Sequence, residues 1–220
     1  MRILVISSCT SKKNKLDGSP SLTAKELSSG DSVLTSAHKK NARYLQSAED
    51  LYSGEQHVRI MRGLKEVRNN GHNVDFKILS AGYGLVDSSW TLLPYNVTFN
   101  NMRKNQILDW SAKLKIPGNV KNVLNTSYDL VFIALGENYL VSSGILEIAA
   151  FRNKTVILCG EKYADKFQLP NVYVIVANQS LCAKFACGNI GLKGEIVRKL
   201  LSRLANKSSG YFCVEKDLSI

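Results

Sequence analysis

The sequence predicts a doubly wound α/β domain with a mainly parallel five-stranded sheet flanked by helices. Three observations carry this. Five short apolar runs occupy residues 3–6, 76–79, 130–135, 155–158 and 172–176, each stops in a cluster of small, polar and aromatic residues, and segments of helical periodicity lie between them. Near-continuous Val/Ile/Leu runs read as strands buried on both faces, which requires a parallel sheet covered by helices. In such a sheet ligands bind outside the carboxyl ends of the strands. The candidate site walls are therefore Ser7-Ser8-Cys9-Thr10, Ser80-Ala81-Gly82-Tyr83-Gly84, Gly136-Glu137-Asn138-Tyr139, Cys159-Gly160-Glu161-Lys162-Tyr163 and Asn178-Gln179-Ser180.

After the first strand, residues 14–47 are rich in Ser, Lys and Asn around one apolar patch at Val33-Leu34. The stretch is too long for a βα turn and reads as a functional loop or lid, or as an insertion with no role. Ser53 and Gln56 form an S-x-x-Q capping box ahead of Val58, Met61 and Leu64, so a crossover helix is expected until Gly71. The second strand leads into an irregular segment with Trp90, Pro94 and Tyr95. A helix over 101–114, stopped by Pro117-Gly118, and a short one over 120–124 precede the third strand, and amphipathic helices are expected over 139–151 and 192–204. With 220 residues and no linker, the chain reads as one domain spanning 1–220.

No apolar run reaches eighteen residues and the first strand begins at once, so a soluble, cytoplasmic protein with no membrane partner is expected. Cys9, Cys159, Cys182, Cys187 and Cys213 show neither a CxxC pair nor His at zinc spacing. They read as buried small hydrophobes, with no metal and no disulfide framework.

Lys and Arg total 29 against 18 Asp and Glu, a net charge of +11. That surplus points to nucleic acid as partner, or to no more than a solvated basic surface. The cations cluster as Lys12-Lys13-Asn14-Lys15, as Lys39-Lys40 with Arg43, as Arg59, Arg62, Lys65 and Arg68, and as Lys193, Arg198, Lys199, Arg203 and Lys207. Those beside a strand-end crevice would neutralise phosphates, whereas the last group reads as a helix's solvated face.

Gly82 and Gly84 bracket Tyr83 directly after a buried strand, which permits a tight turn close to a ligand. Tyr83 could stack on a base, or the glycines could mark an ordinary turn. The third glycine and following helix of a dinucleotide fingerprint are missing, so no cofactor is expected. Tyr95 supplies a second ring or a core plug, and Asn96 an amide able to read a base edge or hold a water. Glu137 reads either as a partly desolvated acid/base carboxylate or as a charge on a helix N-terminus. Asp87 is the other carboxylate expected in a strand-end loop. Cys9 lacks an identifiable His partner and reads as a pocket wall beside Ser8. His57, in a helix first turn, reads as a surface residue or a site-facing imidazole.

Together Ser7-Ser8-Cys9-Thr10-Ser11-Lys12-Lys13, Ala48-Glu49-Asp50-Leu51-Tyr52-Ser53-Gly54-Glu55-Gln56-His57, Ile78-Leu79-Ser80-Ala81-Gly82-Tyr83-Gly84-Leu85-Val86 and Pro94-Tyr95-Asn96-Val97-Thr98-Phe99 resemble a small bacterial and phage family. That family is grouped with uracil-DNA-glycosylase-like and transglycosylase-associated domains. The resemblance implies a DNA glycosylase without metal that cleaves an N-glycosidic bond and leaves an abasic site. It further implies anti-phage defence, with glucosylated hydroxymethylcytosine in phage DNA as the base removed.

Such chemistry needs a basic groove, aromatic pocket walls for a flipped base, and an Asn, Asp or Glu to orient water or stabilise an oxocarbenium-like sugar. The resulting expectation assigns Asp87, Asn96 and Glu137 to catalysis, Ser8, Cys9, Tyr83, Tyr95 and Asn138 to the base, and Lys12, Lys13 and Arg62 to the DNA backbone. Two alternatives stay open. One is a base-exchanging transferase of the deazaguanine type with a carboxylate nucleophile, and the other a non-catalytic DNA-binding stress-response module.

Overall fold

A computed structural model describes residues 1–206. Lys207 and Cys213, read above as a helix-face cation and a buried thiol, lie outside them. The chain opens in β1 (Arg2–Ser8), and a polar stretch carrying α1 (Ala24–Ser28) and α2 (Asp31–Lys40) returns through β2 (Gln46–Ser47) and α3 (Ala48–Leu51) to α4 (Glu55–Asn69). β3 (Asn73–Ser80) turns back into β4 (Gly84–Asp87), and β5 (Thr91–Leu92) pairs with β2. Then α5 (Lys104–Lys113) and α6 (Ile116–Leu124) lead to β6 (Leu130–Ala134), α7 (Glu137–Ser143) to β7 (Thr155–Cys159), and α8 (Glu161–Ala164) to β8 (Val172–Val176). The described chain closes with α9 (Gln179–Phe185) and α10 (Asn189–Ala205).

The main sheet has the order β4-β3-β1-β6-β7-β8, parallel throughout except for β3 with β4. The predicted α/β class and mainly parallel sheet are thus present, with six strands instead of five. β6 and β7 are buried along their whole length and β1 from Ile3 onward, which is why those segments are unbroken apolar runs. The buried side chains form one continuous core.

The additional strand, β4, hides behind the glycine pair. A three-residue turn of Ala81, Gly82 and Tyr83 joins Ser80 to Gly84, and Gly84 adopts φ +77°, which a side chain would resist. Four residues alternating buried and half-buried are then enough to pair with β3.

Residues 14–47 are not a structureless loop. Thr23 and Glu26 cap α1 reciprocally, and Leu22 is tied to the far irregular segment by Leu22 N–H to Pro94 O at 2.9 Å and Asn96 N–H to Leu22 O at 3.0 Å. The expected capping box of Ser53 and Gln56 does not form: Gly54 is the N-cap of α4, without a side-chain cap. Pro117 does not stop a helix either. Lys115, at φ +53°, makes the break, and Pro117 sits in the first turn of α6, where its missing N–H costs nothing. α9, unanticipated from the sequence, is capped by the Asn178 side chain on Leu181 N–H.

α4 and α10 pack against each other through glycines. A Cβ on Gly63 would lie 2.9 Å from Arg198 Cα, and one on Gly194 2.4 Å from Gln56 O. Glu195, at the same seam, accepts hydrogen bonds from Arg59 at 2.9 Å and from Arg198 at 2.6 and 2.9 Å, and these hold its carboxyl below the usual range.

Gly194→Ala should cost about 1–3 kcal/mol in urea unfolding, because the methyl meets backbone. Gly118→Ala, inside α6 with open space around its Cβ, should gain about 0.5–1 kcal/mol. A stabilised Gly194→Ala variant would contradict the close helix seam.

Candidate functional site

The chain crosses from β1 to β3 on one side and later returns past β1 to place β6 on the other, so the strand order reverses between β1 and β6. A crevice opens at that point in doubly wound sheets. Ser7, Ser8 and Cys9 stand on one side, with Ala134, Leu135 and Gly136 on the other.

Gln56, in the first turn of α4, crosses the crevice. Its Nε2 donates to Ser7 Oγ at 2.8 Å, to Ala134 O at 2.9 Å and, more weakly, to Ser8 Oγ at 3.3 Å. Because a carbonyl only accepts, the amide orientation is fixed, and Oε1 is left without a donor among the described residues. Tyr139, from the buried side of α7, brings its hydroxyl to 3.1 Å from Cys9 Sγ, with Phe99 set edge-on to its ring at 5.1 Å. Asn138 Nδ2 donates to Phe99 O at 3.2 Å.

On the β3 side, Ser80 is a hub. Its Oγ accepts from Gly82 N–H at 3.2 Å, Tyr83 N–H at 3.1 Å and the Tyr52 hydroxyl at 3.1 Å, and donates to the Tyr95 hydroxyl at 2.8 Å. Tyr52 and Tyr95 hydroxyls meet at 2.9 Å. Gly82 is required here because a Cβ would sit 2.7 Å from the Tyr95 ring. Tyr83 is half-buried, its hydroxyl donating to Leu93 O at 3.1 Å and accepting from Leu93 N–H at 3.2 Å, with His38 Nε2 of α2 at 3.4 Å. Burial pushes the phenols of Tyr52, Tyr83, Tyr95 and Tyr139 above their ordinary range, so each remains a neutral hydroxyl.

Lys13 lies over this cluster. Its Nζ is 4.2 Å from the centre of the Tyr95 ring and 5.9 Å from that of Tyr52. Burial lowers its pKa, Cys9 opposing that effect and Lys15 adding to it. Among the described residues it has no carboxylate partner.

Ser8, Cys9, Tyr83 and Asn138 lie near the carboxyl ends of β1, β3 and β6, and Lys13, assigned to the DNA backbone, lies over the tyrosine rings beside them. Others need correction. Tyr95 is 2 % exposed, packed against Gly82 and under Lys13, so it supports the crevice rather than offering a ring to a base. Asn96 stands exposed at the rim. Glu137 is exposed and ion-paired to Lys162, so it is not the desolvated carboxylate expected. It lies two residues before Tyr139, close to the opposite side of α7. Asp87 is not in a strand-end loop: β4 runs antiparallel, which carries Asp87 back to Lys77, its ion-pair partner, away from the carboxyl ends. Arg62 is not at the mouth, because seven residues of helix from Glu55 take it roughly 10 Å down α4. Lys12 is exposed beside the crevice.

Gln56, Tyr52 and His38 were not assigned from the sequence, and Ser80 and Tyr139, named among the candidate walls, were given no role. Tyr52 and Gln56 belong to a quoted motif, and a Gln one turn into a helix behind an uncapped glycine is the signal that could have revealed the amide bridge.

A groove of about 650 Å³ follows the outer side of α4 from Asn14 and Tyr52 past Met61 to Arg62, Lys65 and Arg68. Arg68 pairs with Glu49 at 3.5 Å, and Arg59 and Arg198 clasp Glu195. Arg62 and Lys65 keep no carboxylate partner among the described residues, so they are the groove's available cations. Among the described residues no helix is long and apolar enough to cross a membrane.

A family model described as a family of unknown function, DUF6884, matches residues 33–157, more than half of the chain. No curated protein and no solved structure matches.

His57, expected at the surface or facing the site, is 1 % exposed. Its Nε2 must carry the proton donated to Glu49 O at 2.8 Å, and the buried Nδ1 has no partner. Protonating Nδ1 would bury an unsatisfied charged N–H, and burial accordingly lowers the pKa from 6.5. A depressed histidine favours folding above its unfolded value and loses that contribution as pH falls below about 6.5, by at most about 1.4 kcal/mol per pH unit. His38, also lowered by burial, adds in the same direction. Melting temperatures between pH 8 and pH 5 should fall for the wild type and fall less for His57→Gln, which can still donate to Glu49 O. An equal fall in both would contradict the assignment.

Proposed function

The chain belongs to DUF6884, a family of unknown function, and we propose from its strand-end crevice that it is a DNA glycosylase acting on a modified base. The observation carrying this reading is the lining of the crevice: hydroxyls, amides and tyrosines around one lysine without a carboxylate partner among the described residues, in a chain of net charge +11. A crevice of neutral donors and acceptors suits a base bearing a hydroxylated substituent. Glucosylated hydroxymethylcytosine is such a base, and anti-phage defence is the role it would serve.

In this mechanism the DNA backbone follows Lys12 and the groove cations Arg62 and Lys65, which release counterions without reading sequence. The target nucleotide leaves the stack and enters beside Tyr83 and Cys9, at the cost of a few kcal/mol of unstacking. Gln56 Oε1 accepts from the exocyclic amine, while its Nε2 stays clamped on Ser7 and Ala134. Ser8 and Asn138 complete the hydrogen bonding.

As the glycosidic bond breaks, charge grows on the departing base and a cation on the sugar. Buried phenols, kept neutral, act as donors toward the leaving base, Tyr139 foremost. The rim amide of Asn96 orients the attacking water, and Glu137, next to Asn138, supplies the one rim carboxylate from the sequence assignment. Asp87 drops out. A base-exchanging transferase would need a free carboxylate nucleophile, and both Asp87 and Glu137 are held by lysines.

Incubation with ordinary and with glucosylated hydroxymethylcytosine DNA, without added metal, should release base and create alkali-labile sites only in the modified DNA. Gln56→Ala should lower that rate roughly tenfold or more, the scale of one lost buried hydrogen bond, while Asp87→Ala leaves it within about twofold. Salt-sensitive binding with no base released from either DNA would overturn the glycosylase reading in favour of a binding module.

A further inference from the structure

We propose that Lys13 is a nucleophile that condenses with the aldehyde of an abasic deoxyribose, giving the strand-end site a DNA-strand-cleaving lyase activity. The inference rests on the proposed function in that base removal at this site would deliver that aldehyde to Lys13.

The position of Lys13 is fixed by its backbone. It forms an antiparallel bridge with Tyr52, flanked by Ser53 N–H to Lys12 O at 3.1 Å and Asn14 N–H to Leu51 O at 2.8 Å, while Thr10 Oγ1 donates to Lys12 O at 2.8 Å. Lys12 and Lys15 on either side are exposed, but Lys13 is half-buried. Its amine is therefore reachable and yet shielded.

The amine also lacks what usually keeps a lysine charged. Lys77 and Lys162 hold carboxylates, and Lys193 donates to Leu135 O at 2.5 Å. Lys13 Nζ has neither a carboxylate nor a hydrogen-bond acceptor among the described residues, only two aromatic faces. A desolvated lysine in that setting titrates downward and exposes its lone pair, the requirement for imine chemistry.

The step balances without oxidant or cofactor. The Nζ lone pair attacks C1′, the carbonyl oxygen takes up protons and leaves as water, and a protonated imine remains. Loss of the C2′ proton to solvent water sends its electron pair toward C3′, and the C3′–O bond breaks with the phosphate leaving. Water then hydrolyses the conjugated imine and frees Lys13.

The test uses the full chain with a synthetic, end-labelled duplex carrying one preformed abasic site, with and without sodium borohydride, which reduces an imine to a stable amine. A borohydride-dependent protein–DNA adduct, mapped by peptide mass spectrometry to Lys13 and lost in Lys13→Gln but kept in Lys121→Ala, an exposed lysine of α6, is expected together with strand nicking. Mapping on the wild type stands even if Lys13→Gln folds poorly. No adduct, or an adduct on another residue, would overturn the proposal. Because the aldehyde is supplied ready-made, trapping without base release from modified DNA would retain the lyase and remove the glycosylase. Base release without trapping would do the reverse.

Discussion

Ser7 and Ala134 are the last register partners of β1 and β6, and the two strands part beyond them. A single side chain bridges their ends. The Gln56 amide uses its donors on both strands and so ties the first turn of α4 to the point where strand order reverses. That turn can reach the crevice because Gly194 of α10 lies on the Gln56 backbone and leaves no room for a Cβ. Gly54, whose own Cβ would sit 2.6 Å from Thr10, lets α4 begin against the end of β1. The glycine seam, far from the crevice in sequence, thus fixes where the amide points. Buried amides with satisfied donors are worth more for geometry than for net stability.

The same economy governs charge. A chain with net +11 carries many cations, but the ion pairs divide them. Arg59, Arg198 and Arg68 are absorbed into structural clasps, whereas Lys12, Lys13, Arg62 and Lys65 pair with no carboxylate among the described residues. In the proposed reading Lys12 beside the strand ends and Arg62 and Lys65 along the groove of α4 are the cations that would meet a phosphate backbone. Ion pairing thus withdraws Arg59, Arg68 and Arg198 from the basic surface around α4.

Much of this was legible in the sequence. The unbroken apolar runs of β1, β6 and β7 declare their burial, and the polar clusters after them locate the site edge. What stayed hidden has physical reasons. β4 is a four-residue strand behind a positive-φ glycine, so its antiparallel direction, and with it the displacement of Asp87, depends on turn geometry that spacing alone does not specify. Ser53 and Gln56 fit a capping pattern, yet the tertiary contacts of Gln56 across the sheet outcompete a local cap. His57 looks solvent-facing by position in its helix, but Glu49 O and the rings of Tyr52 and Phe76 enclose it. Tyr95 could be wall or plug on sequence grounds, and the Ser80 hub with Gly82 beneath it decides for plug.

If a DNA base docks in the crevice between β1 and β6 beside Gln56, side-chain amide and tyrosine ring resonances followed while a hypermodified duplex is titrated into the protein will report it. Shifts of the Gln56 amide and Tyr83 ring, together with Asn138 and the backbone of Ser7 and Ser8, are expected. Shifts confined to the cavity of Asn178, Gln179 and Asn189 at the end of β8, with Gln56 unmoved, would contradict the account.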